Sequence, residues 1–198
     1  MMRVWLCFAL VGLFGDVRAR GPCRKGKETP IDKIAPVENF NIQQMSGKWY
    51  LVSAASKCQY LLENSFSVEG TIINLTPSKS TLSVSTLRKF NYQCWEIRQI
   101  YQVRKPAGRL FLKGPYSKKD VDIVIGDTDY SSYAIVYFQR HCRIAMKLYG
   151  RTPELPDAVV DKFEELAKKQ NLGLDVVFQF PTYGFCESAD KDHTLDMT

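Results

Sequence analysis

The 198-residue chain fits one domain of ordinary size, large enough to bury a substantial core. Its formal net charge of +6 is scattered over short clusters: "RKGK" at Arg24–Lys27, "SKK" at Ser117–Lys119 and "RHCR" at Arg140–Arg143. No long basic run is interleaved with aromatics, so the sequence does not describe a nucleic-acid surface.

Met1-Met2-Arg3 is a short basic start, and Val4 to Gly15 is an apolar run the length of a signal-peptide core. Val17 and Ala19 suit a small-residue cleavage site, which places cleavage after Ala19, with Gly15 as the alternative. Residues 1–19 are thus expected to be a signal peptide, and their loss lowers the net charge to +5. A membrane-spanning helix needs roughly 20 apolar residues, which no other stretch approaches. The expected product is a secreted plasma protein with no direct membrane insertion. Its basic clusters read as solvated loops, an anionic surface or acidic partner being the alternative.

Residues 20–40, with Pro22, Pro30 and Pro36 among charged and small residues, read as an extended N-terminal arm before a single domain over 41–198. Short β-branched and aromatic segments then recur at about 47–56, 66–75, 80–89, 93–103, 108–113, 120–127, 131–139 and 143–150. "TPSKS", "KPAG", "KGPYSKKD", "GDTDY" and "QRHCR" separate them. Eight strands on short links, with no helix between them, predict an all-β antiparallel meander. Closure into an up-and-down barrel would remove its exposed edges.

"LPDAVVDKFEELAKKQNLG" predicts one C-terminal helix packed outside, with Asp157 as N-cap and Gly173 as stop. Val159, Val160, Phe163, Leu166 and Ala167 form its apolar stripe. "DVVFQF" reads as a ninth strand, leading to Pro181 and a cysteine-bearing tail.

Cys7 would leave with the signal peptide, so Cys23, Cys58, Cys94, Cys142 and Cys186 remain. An odd number in an oxidising compartment points to an intermolecular bond or a reactive thiol. "NLTP" at Asn74–Pro77 is the only N-glycosylation sequon, and Pro77 just after it should reduce its use. The sequence shows no Ser-His-Asp set, paired catalytic carboxylates, phosphate-binding glycine loop or metal cluster. No enzyme, cofactor or metal site is expected. A thiol-dependent activity at Cys58, with Lys57 beside it, is the remaining catalytic option.

Three motifs at element boundaries carry a resemblance: Gly47-Lys48-Trp49 opening the first strand, "TDYSSY" from Thr128 to Tyr133, and Arg151 after the eighth strand. Together they resemble the lipocalins, which implies an eight-stranded barrel closed at one end. Gly47, Trp49, Thr128, Asp129, Tyr130 and Arg151 would form that floor, with the arginine across the tryptophan. "STLRKFNYQCWEIRQIYQ", "DTDYSSYAIVYFQR" and "FPTYGFCESADKDHTLD" are similar to the lipocalin branch that serves as a small subunit of a complement component. "GKWY" and "KLYGRTPEL" also resemble the alpha-1-microglobulin branch.

The resemblance implies a Cys94–Cys186 bond tying the tail to the wall, and an interchain disulfide from Cys58 to a larger alpha chain. Through that chain it implies a link to the beta chain and the membrane attack complex. Nine residue steps from Trp49, about 30 Å if extended, put Cys58 at or beyond the opposite rim. Pairing Cys23 with Cys142, at a hairpin tip on the same rim, would leave Cys58 single. An internal bond from Cys58 to Cys23 or Cys142 is the alternative.

With Trp49 inward, strict alternation turns Leu51, Ser53 and Ala55 inward on the first strand. The same parity from Arg151 turns Ala145, Lys147 and Tyr149 inward. Lys147 must then neutralise an anionic group or stretch to the mouth and solvent, and stretching is preferred. The barrel would hold a small hydrophobic ligand, or be covered by a loop of the partner chain. A free plasma carrier with a capped or reactive Cys58 is the alternative function.

Overall fold

The structure, a computed structural model, describes residues 28–115 and 119–197; the expected signal peptide and Cys23 lie outside these residues. Eight strands run up and down in chain order. They are β1 (Gly47–Ala55), β2 (Thr71–Pro77), β3 (Thr81–Phe90), β4 (Gln93–Arg104), β5 (Arg109–Leu112), β6 (Val121–Thr128), β7 (Tyr133–Arg140) and β8 (Arg143–Gly150). Each pairs antiparallel with the next, and β8 returns to pair with β1, so the sheet closes into a barrel. Closure leaves the interior to every second residue, and Ile73, Leu75, Leu82, Val84, Ile123, Val136 and Phe138 fill it.

Between β1 and β2 the chain does not run on as the strand expected from residue 66. It forms α1 (Gln59–Asn64) and a 3₁₀ turn at Ser65–Ser67, with Leu61 and Val68 buried. Both side chains join the main hydrophobic core.

The predicted outer helix is α2 (Asp157–Lys169), whose Phe163 and Ala167 are fully buried. Pro156, not Asp157, holds the N-cap position; Asp157 is the first helical residue, where its carboxylate still faces the positive end of the helix dipole. The stop is Asn171 at φ +58°, while Gly173 is extended at φ −69°. Asparagine tolerates the left-handed conformation, so the glycine is not needed there.

After a 3₁₀ turn at Leu174–Val176, β9 (Val177–Gln179) lies antiparallel to the upper end of β1. A further strand that the sequence did not suggest, β10 (Thr194–Asp196), runs parallel to Glu96–Arg98 of β4.

The described part of the arm is strapped down rather than extended. Residues Pro30–Lys33 form a 3₁₀ turn with Ile31 and Ile34 buried. The Ile31 amide donates to Gln139 Oε1 at 2.9 Å, Arg109 donates to the Ile34 carbonyl at 2.9 Å, and the Val37 amide donates to the Ile125 carbonyl at 3.0 Å. The arm thus crosses the outer wall formed by β5 to β7.

Candidate functional site

The closed end gathers the three sequence motifs. Trp49 is fully buried and its indole N–H donates to the Met45 carbonyl at 2.8 Å. Arg151 lies with its guanidinium carbon 3.8 Å from the Trp49 ring centre. It donates to the carbonyls of Tyr130, Ser46, Lys48 and Gln44 at 2.9–3.1 Å. Gly47 has φ +98°, and a β-carbon there would stand 3.3 Å from an Arg151 nitrogen, so both the backbone and the neighbour favour glycine.

The β6–β7 turn completes the floor. Thr128 Oγ1 donates to the Tyr133 carbonyl and accepts from the Tyr130 amide, and Asn41 N–H donates to the Tyr130 hydroxyl at 3.0 Å. Burial opposes ionisation of Asp129, but the Ser132 hydroxyl and the amides of Tyr133, Ser132 and Ser131 outweigh it and hold the carboxyl below its ordinary range. These residues join β1, the 130s turn and the end of β8, and none carries a reactive group toward the interior.

Above the floor lies a narrow apolar cavity. Phe40, Met45 and Trp49 form its base, and Tyr101, Phe138 and Tyr149 belong to its wall. Burial pushes both the Tyr101 and Tyr149 phenols well above their usual range, so they stay neutral.

On β8 the alternation holds. Tyr149 faces the cavity, and Lys147 and Ala145 share its face, while Met146 and Leu148 are buried in the layer beneath α2. On β1 it fails above Leu51. Leu51 opposes Tyr149, but a bulge at Val52 puts Ser53 opposite Leu148 and Ala55 opposite Met146. Ser53 and Ala55 therefore face outward, and Ala54, opposite Lys147, takes the inner face. Ser53 Oγ instead donates to the Phe178 carbonyl of β9 at 3.1 Å.

Lys147 does not stretch to solvent: the residue is 5% exposed. Its ammonium lies 5.5 Å from the Phe138 ring centre and 5.9 Å from that of Tyr149. Burial, with a smaller push from Arg88, brings its pKa down to about 7. The buried Arg88 on β3 and Gln99 on β4 escaped the sequence reading, although each continues an inward series, Leu82-Val84-Thr86 and Tyr101.

Cys94 opens β4 and is bonded to Cys186, with their Cα atoms 5.7 Å apart. The tail beyond runs along β4: Asp190 and Cys94 exchange hydrogen bonds, Glu96 N–H donates to the His193 carbonyl, and His193 stacks on Trp95 at 4.3 Å. Cys58 and Cys142 each take part in a disulfide as well. Cys58 caps α1 and is buried, whereas Cys142 is exposed at the β7–β8 tip, on the same rim. Among the described residues no cluster of three or more His, Cys, Asp or Glu side chains could hold a metal, and no helix is long and apolar enough to cross a membrane.

The rabbit (Oryctolagus cuniculus) complement component C8 gamma chain is 37% identical over 172 residues, which cover 87% of this chain and 85% of that one. Bovine (Bos taurus) protein AMBP is 25% identical over 81% of this chain but only 48% of its own, so the chain spans about half of that relative. The solved structure described as "The Siderocalin Ex-FABP functions through dual ligand specificities" superposes with a TM-score of 0.63 at 22% identity, covering 71% of this chain and 96% of that one. That likeness shows a shared fold. The profile of the lipocalin / cytosolic fatty-acid binding protein family matches residues 46–183, a span holding all eight barrel strands and α2, and the chain therefore belongs to that family.

Proposed function

We propose that this chain is a secreted binding subunit rather than an enzyme: the gamma-type chain of the eighth complement component. It would be joined by a disulfide to the alpha chain and through it to the beta chain and the membrane attack complex. The observation that carries this is the 37% identity to the rabbit C8 gamma chain, sustained over 87% of the chain.

Cysteine arithmetic supports an interchain bond. Excision of residues 1–19 removes Cys7 and leaves five cysteines, an odd number that cannot all pair within one chain. Cys94 and Cys186 bond to each other, so the link falls to Cys58, Cys23 or Cys142. Cys58 is our choice, which requires the bond it makes within this chain to give way to the interchain one, with a Cys23–Cys142 bond as the second internal one. Exposed apolar side chains at the same end suit a partner: Phe66 is 88% exposed after α1, and Tyr92 99% exposed at the β3–β4 tip.

The test is electrophoresis of the protein from native plasma with and without reductant, with mass mapping of the disulfide peptides. The reading expects a species well above the 22.7 kDa of the full chain that falls to subunit size on reduction and yields a Cys58 mixed disulfide. A monomer under both conditions would overturn it and favour a free plasma carrier, a reading the apolar cavity supports in its own right. In the assembly the cavity takes a small hydrophobic ligand or lies under a loop of the alpha chain. Undiminished binding of an apolar fluorophore by the complex would exclude that loop. Asn74 stands on the outer face of β2, opposite Lys48 and Ser85, the face from which a glycan would project.

A further inference from the structure

Trp49 marks the closed end of the barrel, so in an up-and-down order the β1–β2, β3–β4, β5–β6 and β7–β8 links stand at the other end. Among the described residues, every large apolar side chain that is half exposed or more lies there: Leu62, Phe66, Tyr92, Leu174 and Tyr183. Leu62 and Phe66 belong to the β1–β2 link and Tyr92 to the β3–β4 turn. Leu174 is placed at this end because the Ser56 amide donates to the nearby Val176 carbonyl at 2.9 Å. Tyr183 is placed there because its carbonyl would stand 2.6 Å from a β-carbon on Gly70, just before β2.

Tyr92 is the clearest case. Asn91 and Tyr92 are the two central residues of the turn joining β3 to β4, at φ +49° and φ +63°. Such a turn favours Asn-Gly, because the left-handed conformation is costly for a bulky residue. A tyrosine stands at the glycine position all the same, with its ring in solvent, where the fold gains no packing from it.

Cations stand between these projections. Lys57, Lys89, Lys113 and Arg143 are exposed or half-buried on the same loops and strand ends. The acids there are Glu63, Glu69 and Asp120, and Asp120 accepts from the Gly114 amide at 2.9 Å. The tail beside β4 adds Asp190 and Asp192 around Lys191, and Asp190 accepts from the Cys94 amide at 2.8 Å. Apolar side chains on separate projections suit a deformable medium better than a rigid partner, which would need a matching pocket for each. Phenylalanine and tyrosine rings settle at the headgroup level of a bilayer, and a lysine near an anionic leaflet strengthens binding roughly fivefold.

We propose that the open end docks on an anionic phospholipid surface, with Phe66 and Tyr92 sunk to the headgroup level and Lys89 and Lys113 against the lipid phosphates. The contact is interfacial: no helix among the described residues is long and apolar enough to cross a membrane. The proposal goes beyond the disulfide-linked reading and does not rest on it. The two compete for Phe66 and Tyr92, and the experiment separates them.

The experiment is co-sedimentation of the full protein with vesicles of phosphatidylcholine alone and of phosphatidylcholine with phosphatidylserine. The expected result is binding about tenfold or more tighter to the anionic vesicles. Lys89→Gln/Lys113→Gln should weaken it by about tenfold or more, whereas Lys79→Gln/Lys105→Gln, the same charge change at the closed end, should leave it unaltered. Phe66→Ser/Tyr92→Gly should weaken binding to both vesicles without lowering the thermal midpoint, since glycine suits the turn. Equal binding to the two vesicles, equal losses from the two lysine pairs, or full binding by Phe66→Ser/Tyr92→Gly overturns the proposal. So does the absence of vesicle binding. If Phe66→Ser/Tyr92→Gly then weakens assembly with the alpha chain, the surface belongs to a protein partner and the disulfide-linked reading stands alone.

Discussion

Arg151 covers the Trp49 indole at 3.8 Å and at the same time reaches four backbone carbonyls in two separate segments, residues 44–48 and Tyr130. One side chain thus joins the entry to β1 and the β6–β7 turn. Replacing it by alanine removes four charge-assisted hydrogen bonds and the cation–π contact, although water can reach some of the freed carbonyls. The expected loss is about 2–3 kcal/mol, read from urea midpoints. Arg151→Lys keeps the charge without the planar fork and should lose roughly half as much. A cost below about 0.5 kcal/mol for Arg151→Ala would mean the floor holds without its clamp.

The tail depends on the Cys94–Cys186 bond. It closes a loop of 92 residues, for which chain entropy gives about 4–5 kcal/mol. The double variant Cys94→Ala/Cys186→Ala should lose about 3–5 kcal/mol. Before global unfolding it should also lose hydrogen-exchange protection at the Glu96 amide, which donates to His193. Protection unchanged at Glu96 would show that three residues of β10 pairing hold the tail without the covalent bond.

What the sequence disclosed, and what it hid, follows from local signal strength. β8 was legible because Lys147 and Tyr149 alternate with Met146 and Leu148, and the helix stripe demanded an apolar partner. The upper half of β1 was not: "SAAS" is small throughout, so nothing in its pattern marks the bulge that turned Ser53 and Ala55 outward. The Asn171 helix stop was masked by Gly173, a stronger conventional signal two residues later. β10 is only three residues long and is held by a disulfide and by the β4 edge, neither of which leaves a local pattern. The floor was read from motif resemblance, but Gln99 and Arg88, polar residues inside a barrel, needed the register itself.

Gly126 lies in β6 at a register shift between Ile125 and Asp127. A β-carbon on it would fall 2.3 Å from Cε2 of Tyr137, whose ring covers the position and is itself buried. Gly126→Ala should therefore displace that ring and cost about 1–3 kcal/mol. Gly126→Ala/Tyr137→Leu should recover part of the loss, since the smaller side chain frees the space. A double-mutant cycle with no coupling between the two sites would show that the backbone of the bulge, not the ring, demands the glycine.

Lys147 makes stability depend on pH in a definite direction. Its pKa is about 7 in the folded chain, against the ordinary 10.5 of an exposed lysine. Between these values the unfolded chain holds a proton that the folded chain has released, so stability rises with pH across that window. Below pH 7 both states are protonated and the full penalty of a buried ammonium is present. Lys147→Met removes the penalty and should be more stable than the wild type by on the order of 3–5 kcal/mol at pH 6. The gap should narrow through pH 8 and nearly close by pH 10, because the wild type gains what the variant never lost. Subtracting the two urea-midpoint profiles cancels every other titrating group that is unaffected by the substitution. Parallel profiles would mean that Lys147 keeps an ordinary pKa in the folded state and has found solvent or a counter-charge after all.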